Sequence, residues 1–152
     1  MTARQALIAH LEKLGVRQPG DPSPEVYRDP WLRMAVAGRR IPVFPVWGFL
    51  GALALHDLHH LVTGYGTTLR GECEIAGWEL GSGGCAWRLH MWVDRLSTFA
   101  FGLLAAPAAT LRALRRGLRH RNLYGLRTDA VLAMDFDEVS RFVGVGSMAP
   151  PA

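Results

Sequence analysis

The chain has 152 residues, 49% of them hydrophobic and 20% charged, which is the balance of a globular domain with one core and excludes an intrinsically disordered chain. Its formal net charge of +4 comes almost wholly from arginine, since Lys13 is the only lysine, and does not by itself indicate a nucleic-acid partner. No apolar run has the length of a membrane-spanning helix, so the apolar segments are expected to be core helices or surfaces that touch a membrane.

The two cysteines and the N-terminal segment bear on the cellular compartment. Cys73 and Cys85 do not form a C-x-x-C pair, which excludes zinc-finger spacing, and two thiols in a chain of this size favour a reducing compartment. The sequence MTARQALIAHLEKLG lacks the apolar centre of a secretory signal. We therefore expect a cytoplasmic protein.

The first part of the chain predicts one helix, a linker and a second, short helix. Apolar residues at helical spacing indicate a helix over residues 2–14, namely Ala6, Leu7, Leu11 and Leu14. Four prolines between residues 15 and 30 predict a loop or linker. Residues 31–37 are expected to form a short helix, which ends before Gly38.

The middle of the chain predicts a helix–turn–helix. One helix is expected from Val46 to Val62, and Gly64-Tyr65-Gly66 ends it. Either Thr67 or Thr68 can cap the next helix, which runs to about Leu80.

The last part of the chain predicts helices as well. The segment from Cys85 to about Gly117 is helical and is expected to bend or split at Pro107. Asp135–Val143 predicts a short final helix, preceded by an extended stretch over residues 131–134. Because no other segment shows convincing strand alternation, we predict an all-α fold, a single-domain helical bundle. We divide it into an N-terminal helix and linker (1–40), a main helical domain (41–146) and a disordered tail (147–152).

One group of ionisable residues stands out against apolar surroundings. His56 and His60 are four residues apart, so they share one helix face, and this is the spacing of zinc-binding helices. Asp57 can add a carboxylate oxygen, and the helix–turn–helix would return Glu72 to the same place. Two nitrogens and two oxygens favour Zn²⁺, with Fe²⁺ or Mn²⁺ as alternatives. Glu79 lies two turns after Glu72 and is expected to support the ligands or line the pocket.

Other interpretations of the charged residues stay open. The histidine cluster can be a solvated helix cap, or one histidine can pair with Asp57 alone. His59 can support the ligands, carry protons or lie at the surface, and the surface position is favoured. Five arginines form a cluster that is either a solvated face or a contact with anionic lipid: Arg112, Arg115, Arg116, Arg119 and Arg121.

The ionisable group resembles the signature of the Coq-four family of ubiquinone (coenzyme Q) biosynthesis proteins. The resemblance rests on His56-Asp57-x-x-His60, followed after eleven residues by Glu72. It covers roughly residues 47–145 and includes three further short matches: Gly64-Tyr65-Gly66, Gly71-Glu72 and Trp78-Glu79.

The resemblance implies an α-helical metal-binding protein whose ligands are His56, Asp57, His60 and Glu72. It implies peripheral association with a membrane, which in a bacterium is the inner face. The implied partners are a polyprenyl lipid or quinone precursor and other quinone-biosynthesis enzymes. The implied reaction is that of a lyase or decarboxylase: loss of the C1 carboxylate of a polyprenylated hydroxybenzoate, with hydroxylation at that carbon.

The chemistry of the predicted site is compatible with this reaction. A metal can hold the substrate carboxylate and a ring oxygen and stabilise the charge that develops as the C–C bond breaks. Apolar residues upstream on the same predicted helix are candidates to line a path for an isoprenoid tail, with ordinary helix packing as the alternative: Trp47, Phe49, Leu50 and Leu53.

Two other classes of function compete with a metal-dependent enzyme. In a non-catalytic, lipid-binding scaffold, a structural metal would tie the two helices together. In a zinc hydrolase of the H-E-x-x-H type, Asp57 would act as the base, but its side chain is shorter than that of glutamate, so this class ranks last. The basic residues are not interleaved with aromatic ones, so no nucleic-acid partner is expected. A homo-oligomer is left open.

Overall fold

The structure is a computed structural model that describes the backbone of residues 1–14, 31–36, 39–45 and 50–146, and the side chains of 1–14 and 51–146. Within these ranges seven helices and two strands follow in this order: α1 Ala3–Lys13, β1 Trp31–Val36, β2 Arg39–Pro45, α2 Leu50–Thr63, α3 Leu69–Gly81, α4 Leu89–Ala105, α5 Pro107–Gly117, α6 Thr128–Ala133 and α7 Phe136–Val143. The predicted all-α bundle is confirmed for the body of the molecule. The predicted linker at 15–30, the helix start at 46–49 and the tail at 147–152 lie outside the described residues.

The exception to the helical fold is an antiparallel hairpin of β1 and β2. Trp31 pairs with Pro45 and Val36 with Arg39, with an irregularity between Leu32 and Arg33. The short helix predicted over residues 31–37 is therefore wrong. A short apolar run has no period that separates a strand from a helix, and the hydrogen bonds of this strand come from a partner further along the chain.

Local signals set the ends of several helices. Thr2 and Gln5 form a capping box on α1, and the side chain of Asp135 accepts a hydrogen bond from the backbone of Asp137 at the start of α7. Thr68, and not Thr67, caps α3 by accepting from the Gly71 N–H. Pro107 is the first residue of α5, so the predicted split of the long helical segment is confirmed.

One short helix was not predicted. Residues 131–134 were expected to be extended, but α6 covers Thr128–Ala133 and only Met134 has extended backbone angles. The helix has six residues and no side-chain cap, so it is too short for apolar periodicity to show. Its Val131 is fully buried, which indicates that tertiary packing holds it.

The helices pack in two groups around one core. Helix α1 contacts α2, α6 and α7, and α3 contacts α4 and α5. The α3–α5 pair is very close, since a Cβ atom on Gly81 would lie 2.3 Å from the Leu114 carbonyl oxygen and one on Gly117 would lie 2.3 Å from that of Trp78. Among the described residues, no helix has both the length and the apolar character needed to cross a bilayer. From α5, the Arg116 side chain reaches the turn that joins α2 to α3, where it donates a hydrogen bond to the Thr63 carbonyl oxygen.

Candidate metal centre

Two histidines of α2 and one glutamate of α3 meet at the centre of the fold. The Nε2 atoms of His56 and His60 are 3.2 Å apart, because residues at i and i+4 share a helix face. The Glu72 carboxylate lies 3.3 Å from His60 Nε2 through one oxygen and 3.5 Å from His56 Nε2 through the other. Both histidines are buried, and the Glu72 side chain is 32% exposed, so the group opens to solvent on the Glu72 side.

The turn between α2 and α3 brings Glu72 to the histidines. Gly64 follows the last residue of α2 with a φ of 76°, a left-handed conformation that glycine adopts without strain. Further on, a Cβ atom on Gly71 would lie 1.8 Å from the Gly66 carbonyl oxygen, so the turn packs directly on the first turn of α3. Since Glu72 is the next residue, this contact fixes its distance from α2.

Hydrogen bonds on the far side of each ring orient the two histidines. His56 Nδ1 lies 2.9 Å from Glu79 Oε1, and His60 Nδ1 lies 3.0 Å from the backbone carbonyl oxygen of Tyr65. Both acceptors require a proton on Nδ1, and in a neutral ring this leaves the lone pair of Nε2 pointing into the group. Metal-binding histidines are held in this way in proteins generally.

Glu79 is the centre of a buried polar network. Its Oε1 accepts hydrogen bonds from His56, from His59 Nδ1 at 2.7 Å and from the Tyr124 hydroxyl at 2.7 Å. Its Oε2 lies 3.4 Å from Arg95 Nη1. The side chains of Glu79 and His59 are completely buried, so these bonds replace the water that the charge has lost. The carboxylate predicted to support the ligands is therefore hydrogen-bonded to one of them.

The charges of this network shift the pKa values of its members. Burial lowers the pKa of His56, but the charge of Glu79 and hydrogen bonds with Glu72 and Glu79 raise it more, to about 9. Burial raises the pKa of Glu72, yet its hydrogen bonds with His56 and His60 outweigh this and hold it below the ordinary value. Burial lowers the pKa of His59, which accepts the Leu123 N–H at Nε2 and is neutral. The carboxylates of Glu72 and Glu79 therefore favour a positive charge between His56, His60 and Glu72. Either a proton or a metal ion can supply that charge.

The geometry fits a metal ion. With metal–nitrogen distances of about 2.0–2.1 Å, the donor atoms of a tetrahedral zinc site lie about 3.3 Å apart. The two histidine nitrogens are 3.2 Å apart, close to this value, and each lies within 3.5 Å of one oxygen of the Glu72 carboxylate. His56, His60 and Glu72 therefore form a group that can hold a metal ion.

The other predicted site residues lie apart from this group. Asp57 was predicted as one of four ligands but does not belong to this group. It is one residue further along α2, about 100° around the helix, and its charge acts on His10 of α1. Of the predicted lipid-contacting residues, Leu53 is partly buried against the core, which is the packing alternative. Trp47 and Phe49 lie outside the described residues, and so does the side chain of Leu50.

Comparison of the chain with protein-family models, curated proteins and solved structures gave no match. The structure adds Arg95 and Tyr124 to the site, which the sequence did not indicate, and it decides between the alternatives for His59. His59, for which a surface position was favoured, is fully buried, and Arg95 and Tyr124 reach Glu79 from α4 and from the segment before α6. The feature of the sequence that could have indicated a buried His59 is its position between His56 and His60 in an apolar helix.

Proposed function

We propose that this protein is a metal-dependent enzyme of prenylated-quinone biosynthesis. The observation that carries the proposal is the number of ligands: within the part of the chain that the structure describes, three protein side chains converge, whereas a structural zinc site has four. Two histidines and one carboxylate with open positions suit catalytic Zn²⁺ and also Fe²⁺. Zn²⁺ is our first choice of metal, with Fe²⁺ and Mn²⁺ as alternatives.

The substrate class follows from the resemblance of the His56-Asp57-x-x-His60…Glu72 motif to the Coq-four family. The proposed substrate is a hydroxybenzoate with a polyprenyl tail, which loses its C1 carboxylate as CO₂. If a hydroxyl group replaces the carboxylate, dioxygen supplies the oxygen atom, and a two-electron donor and two protons complete the balance by forming water. When bound, the metal would act as a Lewis acid toward the substrate carboxylate and ring oxygen.

The residues of the chain contribute orientation and charge to this reaction. Glu79 and the Tyr65 carbonyl hold the rings of His56 and His60, so the ligands need little reorganisation. The Arg95 guanidinium lies 3.9 Å from the Glu72 carboxylate and 3.4 Å from that of Glu79, so it balances both acids beside the site. Glu72 is the most exposed of the three metal-binding residues, and the substrate therefore approaches on its side.

A second candidate is a scaffold that binds lipid and organises other quinone-biosynthesis enzymes at a membrane surface. The observation that favours it is a row of apolar side chains on α4 that are at least half exposed in the described part of the chain: Leu89, Val93, Leu96 and Leu104. These positions recur at three, four and eight residues, so they share one side of the helix. In a scaffold the metal would only join α2 to α3.

The first test of the proposal is the metal content of the purified protein, measured by mass spectrometry without chelators. We expect about one equivalent of metal in the wild type, and loss of it in both His56→Ala and Glu72→Ala. Glu74→Ala is the matched control, since Glu74 is on the same helix but outside the group. A wild type without metal, or a metal content that neither substitution changes, would contradict the proposal.

A second measurement separates the enzyme from the scaffold. The metal-loaded protein is incubated with a polyprenylated hydroxybenzoate, with and without a reductant in air, and CO₂ and the ring product are quantified. The enzyme predicts product formation that Glu72→Ala abolishes. Tight binding of the substrate without turnover would favour the scaffold.

A further inference from the structure

The cluster of arginines that begins on α5 and continues past its end contains one member with a different environment. Arg112, Arg115, Arg119 and Arg121 are exposed, whereas Arg116 is partly buried. Its Nη1 donates a hydrogen bond of 3.0 Å to the Thr63 carbonyl oxygen, at the last residue of α2. Its guanidinium carbon lies 5.2 Å from the centre of the Tyr65 ring, in cation–π contact. One side chain of α5 thus holds both ends of the Thr63–Tyr65 segment.

This segment carries the group that orients His60. The Tyr65 carbonyl oxygen accepts the Nδ1–H of His60 at 3.0 Å, and this bond turns the Nε2 lone pair toward His56 and Glu72. A backbone carbonyl has its position set by the residues around it, and here the Tyr65 ring is covered by Arg116. Arg116 therefore contacts Tyr65, Tyr65 contacts His60, and His60 faces the proposed metal position.

We propose that Arg116 is a positioning residue of the metal centre, which acts on His60 through the Tyr65 segment. The inference rests on the proposed function, since it concerns the same site. In this arrangement the two histidines are supported from two different helices, α3 and α5. Glu79 of α3 holds His56 directly, and Arg116 of α5 holds the Thr63–Tyr65 segment, whose Tyr65 carbonyl oxygen holds His60. Because α5 packs closely on α3, the two supports keep a fixed distance from one another.

The geometry of the contact requires arginine. A planar guanidinium can stack on a ring and donate a hydrogen bond in its plane at the same time, and a lysine ammonium is a point charge that does not stack in this way. Lysine at this position would keep the charge and reach the Thr63 carbonyl but lose the ordered contact with Tyr65. Arg116→Lys is therefore expected to fall between the wild type and Arg116→Met.

The test measures metal affinity and not turnover. Zn²⁺ affinity is obtained by competition with a chromophoric chelator, and the visible absorption of bound Co²⁺ reports the ligand geometry. We expect Arg116→Met to weaken Zn²⁺ binding by about 10–100-fold, the usual effect of removing a group that orients a metal ligand, and to change the Co²⁺ spectrum. Arg115→Met, an exposed neighbour on the same helix, is expected to change neither.

A double-mutant cycle distinguishes positioning from a general effect on stability. If Arg116 acts through the Tyr65 ring, the losses of affinity in Arg116→Met and Tyr65→Ala will not add in the double variant. All measurements are made well below the unfolding temperature of each metal-free variant. Wild-type affinity and spectrum in Arg116→Met, or additive losses, would overturn the inference while the proposed function stands. A wild type that binds neither metal would overturn both.

Discussion

At the scale of single residues, the carboxylate of Glu79 has four buried partners. It accepts hydrogen bonds from His56, His59 and Tyr124 on one oxygen and faces Arg95 with the other. Burial raises its pKa, but the charge of His56 and the hydrogen bonds from the two histidines lower it well below the ordinary value, so Glu79 is ionised. The negative charge of Glu79 therefore compensates two buried cations, the Arg95 guanidinium and the protonated His56 ring.

Glu79→Gln is predicted to destabilise the protein and weaken metal binding together. The amide keeps the shape but removes the charge, and its NH₂ group must face either Arg95 or the three donors on the other side. Breaking a buried ion pair costs about 3–5 kcal/mol, which urea denaturation of the metal-free protein would detect. Glu74→Gln is the control, because Glu74 is on the same helix and pairs with the exposed Arg70 at 3.7 Å. A loss below about 0.5 kcal/mol is expected there, and an equal loss in both variants would contradict the argument.

The residues of the site divide into those that sequence spacing reveals and those that it does not. His56 and His60 follow from the helical repeat, and Glu72 follows from the turn signals between two helices. Tyr124 and Arg95 come from segments whose positions depend on how the whole chain packs, so no local pattern marks them. Asp57 shows the opposite case, since it belongs to the motif by sequence but lies on another part of the helix surface.

At the scale of elements, the turn between α2 and α3 controls the distance between the histidines and Glu72. Gly71→Ala is predicted to disrupt it, because the new Cβ would lie 1.8 Å from the Gly66 carbonyl oxygen, and backbone on both sides must move. We expect a loss of about 1–3 kcal/mol in stability, as for other overpacked positions, and weaker Zn²⁺ binding because Glu72 moves with the turn.

The other glycine of this contact provides the control. A Cβ atom on Gly66 would have nothing within 4 Å, so Gly66→Ala should leave stability and metal affinity close to those of the wild type. Both variants are compared by thermal unfolding without metal and by chelator competition with Zn²⁺. If Gly71→Ala binds metal as tightly as Gly66→Ala does, the turn does not set the position of Glu72.

The elements that the sequence predicts are helices of more than two turns, and several of them have a capping or turn residue at an end. The helices α1, α2 and α3 have both a repeat and turn residues at an end, and Pro107 marks the start of α5. The hairpin of β1 and β2 and the short helix α6 lack such signals, because their stability comes from partners elsewhere in the chain. The sequence therefore predicts a helix where β1 lies and an extended stretch over residues 131–134, most of which belongs to α6.

At the scale of the whole molecule, contacts between the two ends of the described chain make it one cooperative unit. The Met1 ammonium lies 2.9 Å from the Asp135 carboxylate, and the N–H of Ala3 donates to the Met134 carbonyl oxygen at 2.9 Å. The first helix thus packs in the same core as α2, α6 and α7. Opening the molecule at one end removes core contacts of the other, which is the condition for two-state unfolding.

The two thiols provide a test of this cooperativity. Cys73 and Cys85 are 1% and 0% exposed, and burial and then the charge of Glu79 raise the pKa of Cys85 to about 12. Burial also raises the pKa of Cys73. At pH 8 both are protonated as well as inaccessible, so a thiol reagent can react only after the protein opens. The variants Cys73→Ala and Cys85→Ala each keep one thiol. We predict that the extent of thiol labelling in each variant depends on urea concentration in the same way as the loss of its helical circular dichroism signal.

Fully denatured protein, in which both thiols react at once, calibrates the labelling rate. The two positions sample different parts of the fold, since Cys73 lies in α3 beside Gly102 of α4 and Cys85 lies in the turn before α4. Equal midpoints for both single-thiol variants and for circular dichroism would therefore report global unfolding. Rapid labelling of Cys85 alone without urea would mean that the segment between α3 and α4 opens by itself. Because Arg95 of α4 contacts Glu79 of α3 across this segment, such opening would expose the group of His56, His60 and Glu72 without unfolding the rest of the molecule.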